Sequence, residues 1–174
     1  YSLKFEVINA GQGGFNTYDE LLLYGDIKKY YNPDLIVVGF YLNDIETLND
    51  SKKFFKENYF ILEKSSNEFL MKSHFYGFLL NSFKSIFVLP NIEYEDYLHK
   101  LYSNNLNLRL INQSFYKFKD ITKNKNINLI FIIFPNFRNW NNYGFIKEHN
   151  IIKDMLKENN ISHFDLYDIY KNKN

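Results

Sequence analysis

The sequence predicts a mixed α/β domain, a three-layer α/β/α sandwich on a mostly parallel sheet. Three observations carry this. Two short runs, Asp34–Phe40 (DLIVVGF) and Asn128–Phe134 (NLIFIIF), are almost continuously apolar, as strands covered on both faces are. Segments of helical period separate them from each other and from a third strand candidate. Between Val7 and Asp44 a strand, a glycine-rich turn, a helix and a second strand follow in order, which makes a βαβ unit with a right-handed crossover.

Taken in order, Lys4–Asn9 reads as a strand. Gly11, Gly13 and Gly14 then allow a tight turn with exposed backbone. Thr17 followed by Glu20 is a capping-box pattern, so a helix is expected from Tyr18 to about Tyr31, with Leu21, Leu22 and Gly25 toward the sheet. Asn32-Pro33 ends it. After the Asp34–Phe40 strand, Ile45–Lys56 is polar and reads as a loop with a short helical piece. Tyr59–Glu63 and Glu68–Lys72 suggest a hairpin, and Ser73–Phe87 a helix stopped by Pro90. Tyr94 to about Lys123 reads as one long helix or two, with Leu98, Leu101, Leu108, Ile111, Phe115 and Phe118 near helical period. Pro135 ends the Asn128–Phe134 strand. Phe145–Asn159 is a helix with Ile152, Met155 and Leu156 inward, and Ile161–Leu166 is the last strand. Residues 1–174 form one domain, with an inserted segment at about 45–91.

Composition narrows the function classes. A chain of 174 residues is long enough to bury a core. A net charge of +1 leaves no electrostatic footprint for nucleic acid or an anionic membrane. The most apolar run, Phe75–Leu89, is interrupted by Asn81, Ser82 and Lys84, too short and polar to span a bilayer. With no Cys there are no disulfides or thiolate-metal sites, and none of the four histidines shows metal-ligand spacing. No cofactor or metal is expected, and neither compartment nor oligomeric state is indicated.

In parallel sheets ligands bind beyond the carboxyl ends of the strands, where the glycine turn and the Asn43-Asp44 pair both fall. The pattern Asn9-Ala10-Gly11-x-x-Gly14-x-x-Thr17, with Pro33-Asp34 before an apolar strand ending at Asn43-Asp44, resembles the second and third sequence blocks of the SGNH (GDSL-type) hydrolases. The resemblance implies a flavodoxin-like sheet and a serine esterase or acyl hydrolase acting on a carboxylic ester, an O-acetyl group on a glycan being one option. It also implies an oxyanion hole made by the Gly14 backbone N–H and the Asn43 side-chain amide. The family has a Gly two residues before that Asn, where this chain has Tyr41, with Gly39 further back. The family's Gly-Asp-Ser nucleophile and Asp-x-x-His base have no counterpart here. The chain is therefore expected to be an interior piece of a longer esterase, inactive by itself. In the order 2-1-3-4-5 the strand cut away is the central first one. Lys4–Asn9 should then stand beside an empty slot or move in to pair with Asp34–Phe40.

Two other readings compete. One is a non-catalytic, glycan-binding relative of the same fold. The other is a nucleotide-binding module using Gly11-Gln12-Gly13-Gly14, although the third glycine of G-x-G-x-x-G falls at Asn16. Asp44 is assigned a structural role, bonding nearby backbone N–H groups. His163, with Asp165 two residues on, sits inside a predicted strand. His74, His99 and His149 look like ordinary helix-surface residues. Ser2, Ser65 and Ser66 have no base near them in sequence.

Overall fold

The structure is a computed structural model that describes residues 4–47, 50, 91–137 and 140–171. The expected hairpin and helix at 59–87, with His74, Ser65 and Ser66, lie outside those residues, as does Ser2.

The described chain is mixed α/β, with a three-stranded parallel sheet and five helices. Strand β1 (Leu35–Tyr41) pairs in register with β2 (Asn128–Phe134), Leu35 opposite Asn128 and Tyr41 opposite Phe134. β3 (Ser162–Asp165) pairs on the other side of β2, Ile133 opposite Asp165. The neighbour order β1-β2-β3 is the one expected for these three strands.

Helix α1 (Thr17–Ile27) leads into β1, and a 3₁₀ turn (Leu42–Ile45) follows the strand. The segment expected as one helix or two is two: α2 (Asn91–Ser103) and α3 (Asn105–Lys123). Asn104 breaks them apart, its side-chain oxygen accepting from the Leu106 N–H at 2.9 Å to cap α3. A second 3₁₀ turn (Trp140–Asn142) precedes α4 (Ile146–Glu158), and α5 (Leu166–Tyr170) follows β3. Between α3 and β2, and between α4 and β3, the chain reverses through Asn126 (φ 56°) and Asn160 (φ 53°). Asn tolerates this left-handed region better than most side chains.

Residues Phe40, Phe131 and Ile133 of the sheet are fully buried under α3. Phe131 meets Phe115 and Phe118 edge to face, with centroids 5.1 and 5.8 Å apart, and Phe40 meets Phe115 at 5.9 Å. Helix α1 adds Leu21 and Tyr24 to this core, and α4 adds Ile152 and Leu156. The opposite sheet face carries Leu35, Val37, Tyr41 and Phe164, each about half exposed among the described residues. Among the described residues the DLIVVGF strand is thus fully covered on one face and only partly on the other.

Several local expectations are corrected. Residues 4–9 form no strand and are exposed along their length, Phe5 and Val7 to more than 80%. They neither pair with β1 nor take any other place in the sheet. An isolated strand has no ladder to satisfy its backbone, so extended geometry brings it nothing. Helix α1 is capped by Asn16 rather than Thr17: the Asn16 side chain accepts from the Asp19 N–H at 3.0 Å, and Asp19 answers to the Asn16 N–H. Thr17 is buried instead. The helix ends at Ile27, not Tyr31, and turns Tyr24 inward where Leu22 was expected.

The aromatic cluster makes Phe131→Ala the most damaging single truncation in the core. It should cost about 3–5 kcal/mol of unfolding free energy in a urea titration. A loss below about 1 kcal/mol would show that the cluster closes around the gap.

Candidate functional site

The carboxyl ends of the parallel strands gather most of the buried polar side chains. Before α1 the chain makes a tight turn: the Asn9 side chain accepts from the Gly11 N–H at 3.0 Å, and Phe15 N–H bonds the Gln12 carbonyl at 3.3 Å. Gly14 takes φ +83°, a conformation that any side chain would strain. After β1, Asp44 turns back so that its Oδ2 accepts from the Tyr41 N–H at 2.7 Å, the structural role expected of it. Asn43, one residue earlier, is exposed, as is Gly14. Asn16 joins the two loops, its Nδ2 donating to the Glu46 carbonyl at 3.0 Å.

Beneath these loops lies a group of acids. Burial pushes the Glu20 carboxyl up to about 7, helped by Asp19 beside it. Burial also pushes Asp44 up to about 8, against the Tyr41 hydrogen bond and with Glu20 and Glu46 adding to the rise. Glu46 rises too, chiefly by burial, with the Tyr97 hydroxyl working the other way. The Thr17 Oγ1, Glu20 Oε2 and Tyr24 and Tyr102 hydroxyls are buried here without a protein hydrogen-bond partner. Among the described residues no three His, Asp or Glu side chains are grouped as a metal ion would need.

Two histidines are bound to carboxylates, and neither was distinguishable from a surface residue in the sequence. His149 is 1% exposed; its Nδ1 lies 2.9 and 3.0 Å from the two Asp165 oxygens, and its Nε2 lies 2.6 Å from the Tyr143 hydroxyl. Tyr143 accepts in turn from the Asn136 N–H at 3.2 Å. Burial alone would raise Asp165, but His149, the Tyr167 N–H and Lys153 together hold it below its ordinary value. This chain of bonds ties the loop after β2 to the end of β3, and both ring nitrogens are spent on it. His163, the tempting partner of Asp165, instead points its Nδ1 at the Ile161 carbonyl, 3.1 Å away.

His99, on α2, places Nδ1 2.8 Å from Glu148 Oε1. The Glu148 side chain is 4% exposed and that of His99 40%. One signal was available for this pair: Glu148 falls in the first turn of α4, where the helix dipole favours an acid. Its partner, 49 residues away, carries no sequence signal at all.

A third feature is an aromatic shelf. Trp140 stacks on Phe137 at 5.7 Å, Tyr143 stacks on Tyr167 at 4.4 Å, and Trp140 meets Tyr167 edge to face at 5.6 Å. An open cleft of about 240 Å³ beside it is lined by Trp140, Asn141, Tyr167 and Lys171.

Comparisons with family models, with curated proteins and with solved structures find no match to this chain. No described helix is long and apolar enough to cross a membrane.

The raised acids make stability depend on pH. Folded-state values above 4.5 and 3.8 mean that folded Glu20 and Asp44 hold protons that the unfolded chain releases. Stability is then full below those values and falls as pH rises through 7 to 8. Asp44→Asn keeps an acceptor for the Tyr41 N–H but cannot ionise. Urea titration should find the variant more stable than the native chain at alkaline pH and equal to it in acid. The same difference at both extremes would contradict burial as the cause.

Proposed function

We propose that this chain carries part of the active site of a serine esterase or acyl hydrolase related to the SGNH hydrolases, with Gly14 and Asn43 as oxyanion donors. The observation that carries the reading is the seam between the two loops. The bond from Asn16 to the Glu46 carbonyl holds the Gly14 turn beside the Asn43 turn, at the strand ends where ligands bind in parallel sheets. Asn43 is exposed, and neither donor needs to move out of the core to meet a substrate.

Acyl transfer puts negative charge on one oxygen of a tetrahedral intermediate. Fixed N–H donors stabilise that charge without reorganising, each being worth about 2.7–4 kcal/mol of barrier. Gly14 offers a backbone N–H and Asn43 a neutral amide, and the ester carbonyl would sit between them. The glycan O-acetyl group is one ester this reading admits. The nucleophilic Ser of such an enzyme has no counterpart in these 174 residues.

A second reading, a glycan-binding domain without catalysis, is favoured by the aromatic shelf, whose stacked rings, with the Asn141 amide beside them, suit the flat, hydroxyl-rimmed face of a sugar.

Two measurements separate the readings. In a chain that supplies the nucleophile, Asn43→Ala should lower kcat for a p-nitrophenyl ester about 10²–10³-fold with little change in KM, while the 174-residue chain alone shows no turnover above a denatured-protein blank. An Asn43→Ala enzyme of undiminished kcat would end the oxyanion assignment. For the glycan reading, Trp140 is the one Trp of the chain, so saturable quenching of its fluorescence by oligosaccharides, lost in Phe137→Ala, is the expected signal. Unchanged fluorescence at millimolar sugar would count against it.

A further inference from the structure

Among the histidines of the described residues, His99 alone joins a ring that reaches solvent to a buried carboxylate. We infer that His99 and Glu148 form a proton-transfer dyad at the carboxyl edge of the sheet, with His99 Nε2 as the accepting atom and Glu148 as its positioning residue. The inference stands on the dyad's own geometry and does not depend on Gly14 or Asn43 holding an oxyanion. By resemblance an SGNH base would come from an Asp-x-x-His block, so His99 would be a proton acceptor additional to that one.

The local structure supplies each part. A carboxylate only accepts, so the nitrogen 2.8 Å from Glu148 Oε1 is the one that carries hydrogen. That leaves the lone pair of the neutral ring on Nε2. Nε2 faces Gly144, where an added Cβ would make an ordinary contact at 3.9 Å, and the His99 side chain is 40% exposed. The ring rests on Phe145, with centroids 5.0 Å apart, which fixes its plane. Helix α2 packs against the 3₁₀ turn that carries Asn43, so the dyad belongs to the same edge as the two loops.

The surroundings set the dyad apart from a simple tether between helices. Glu148 Oε2 and the Tyr102 hydroxyl are both buried and without a protein hydrogen-bond partner. Tyr102 feels Asp44, Glu148 and Tyr143, which sets Asp44, Tyr102 and Tyr143 among the titratable groups near Glu148. A tether would be served as well by an exposed pair. Here the acid is dry and the imidazole wet, the arrangement that makes a base of Nε2 while keeping its orienting partner fixed. The His149–Asp165 pair shows the contrast within the same molecule, since its Nε2 is closed off by Tyr143.

The step this allows is a proton transfer from a hydroxyl nucleophile. The O–H bond breaks and an Nε2–H bond forms. The oxygen lone pair forms the bond to an acyl carbon, and the carbonyl π pair moves to oxygen. Among the described residues the hydroxyl fixed beside His99, that of Ser103, is bonded to the His99 carbonyl at 2.9 Å, so the readout is the reactivity of Nε2 itself and not turnover.

Diethyl pyrocarbonate acylates the neutral imidazole nitrogen, forming an N–C bond with loss of ethanol and carbon dioxide, and peptide mass mapping reads the rate at each histidine. On the 174-residue chain, His99 should react many-fold faster than His149 and faster than His163. Glu148→Gln preserves shape and an acceptor but removes the charge. It should slow His99 several-fold at alkaline pH. Long-range ¹H–¹⁵N spectra of the native protein should find the neutral ring protonated on Nδ1, a result that needs no variant to fold. A ring protonated on Nε2, or a Glu148→Gln profile superimposable on the native one, would overturn the dyad. Reactivity of His99 no greater than that of buried His149 would do the same.

Discussion

Phe131, at the centre of the middle strand, is the residue on which the other elements converge. It is fully buried, meets Phe115 and Phe118 of α3 edge to face, and lies in a strand with a neighbour on either side. Both ladders run through β2, so β1 and β3 have no contact as a sheet without it. Helix α3 is held by the same rings, and α1 and α4 in turn pack on α3. The strand ends, and therefore the loops above them, inherit their positions from this one aromatic contact. Its free energy is mostly apolar burial, which is non-directional. The edge-to-face geometry adds the angular preference that fixes how α3 lies across the sheet.

Polar burial at the carboxyl edge works against that stability. A carboxyl moved out of water costs free energy unless it is paired or stays protonated. Asp165 takes the first course, with His149 and Lys153 as partners, and is held low. Glu20 and Asp44 take the second and are held high. Two opposite solutions within one edge make its net charge a function of pH near neutrality. A scaffold selected only for stability would replace such groups with apolar ones, at little or no loss.

What was legible in the sequence follows from how local the cause is. NLIFIIF matched its strand residue for residue, because a run of branched and aromatic residues closed by Pro135 leaves no competing pattern. The break between α2 and α3 was left open, because Asn104 acts as a cap only once its side chain has turned to the Leu106 N–H. Asn16 displaced Thr17 as the cap of α1 for a tertiary reason: its amide also reaches Glu46, thirty residues away. Residues 4–9 have strand-like composition and are no strand, since a ladder needs a partner that no local pattern can supply. Gly14 and Asn43 were singled out only by a motif resemblance, whereas no sequence pattern marks His99 or His149. Their meaning lies in Glu148 and Asp165, carboxylates reached only through the fold.

The polar links into the central strand differ between the two edges of the sheet. At the amino edge the polar links into β2 are plain ones, Asn128 bonding the Asp34 carbonyl through its backbone at 3.0 Å and its side chain at 3.3 Å. At the carboxyl edge the bonds are between side chains of separate elements: His99 to Glu148, His149 to Asp165, Tyr143 to His149. Loop closure would be served by the first kind alone. Side-chain networks between distant elements each cost ordering entropy and desolvation, and they recur where groups must be held in a set relation to one another. In a parallel sheet that edge is also where the connecting loops leave room for a ligand. Paired and unpaired buried polar atoms of the described residues gather at that edge, directly above the aromatic core.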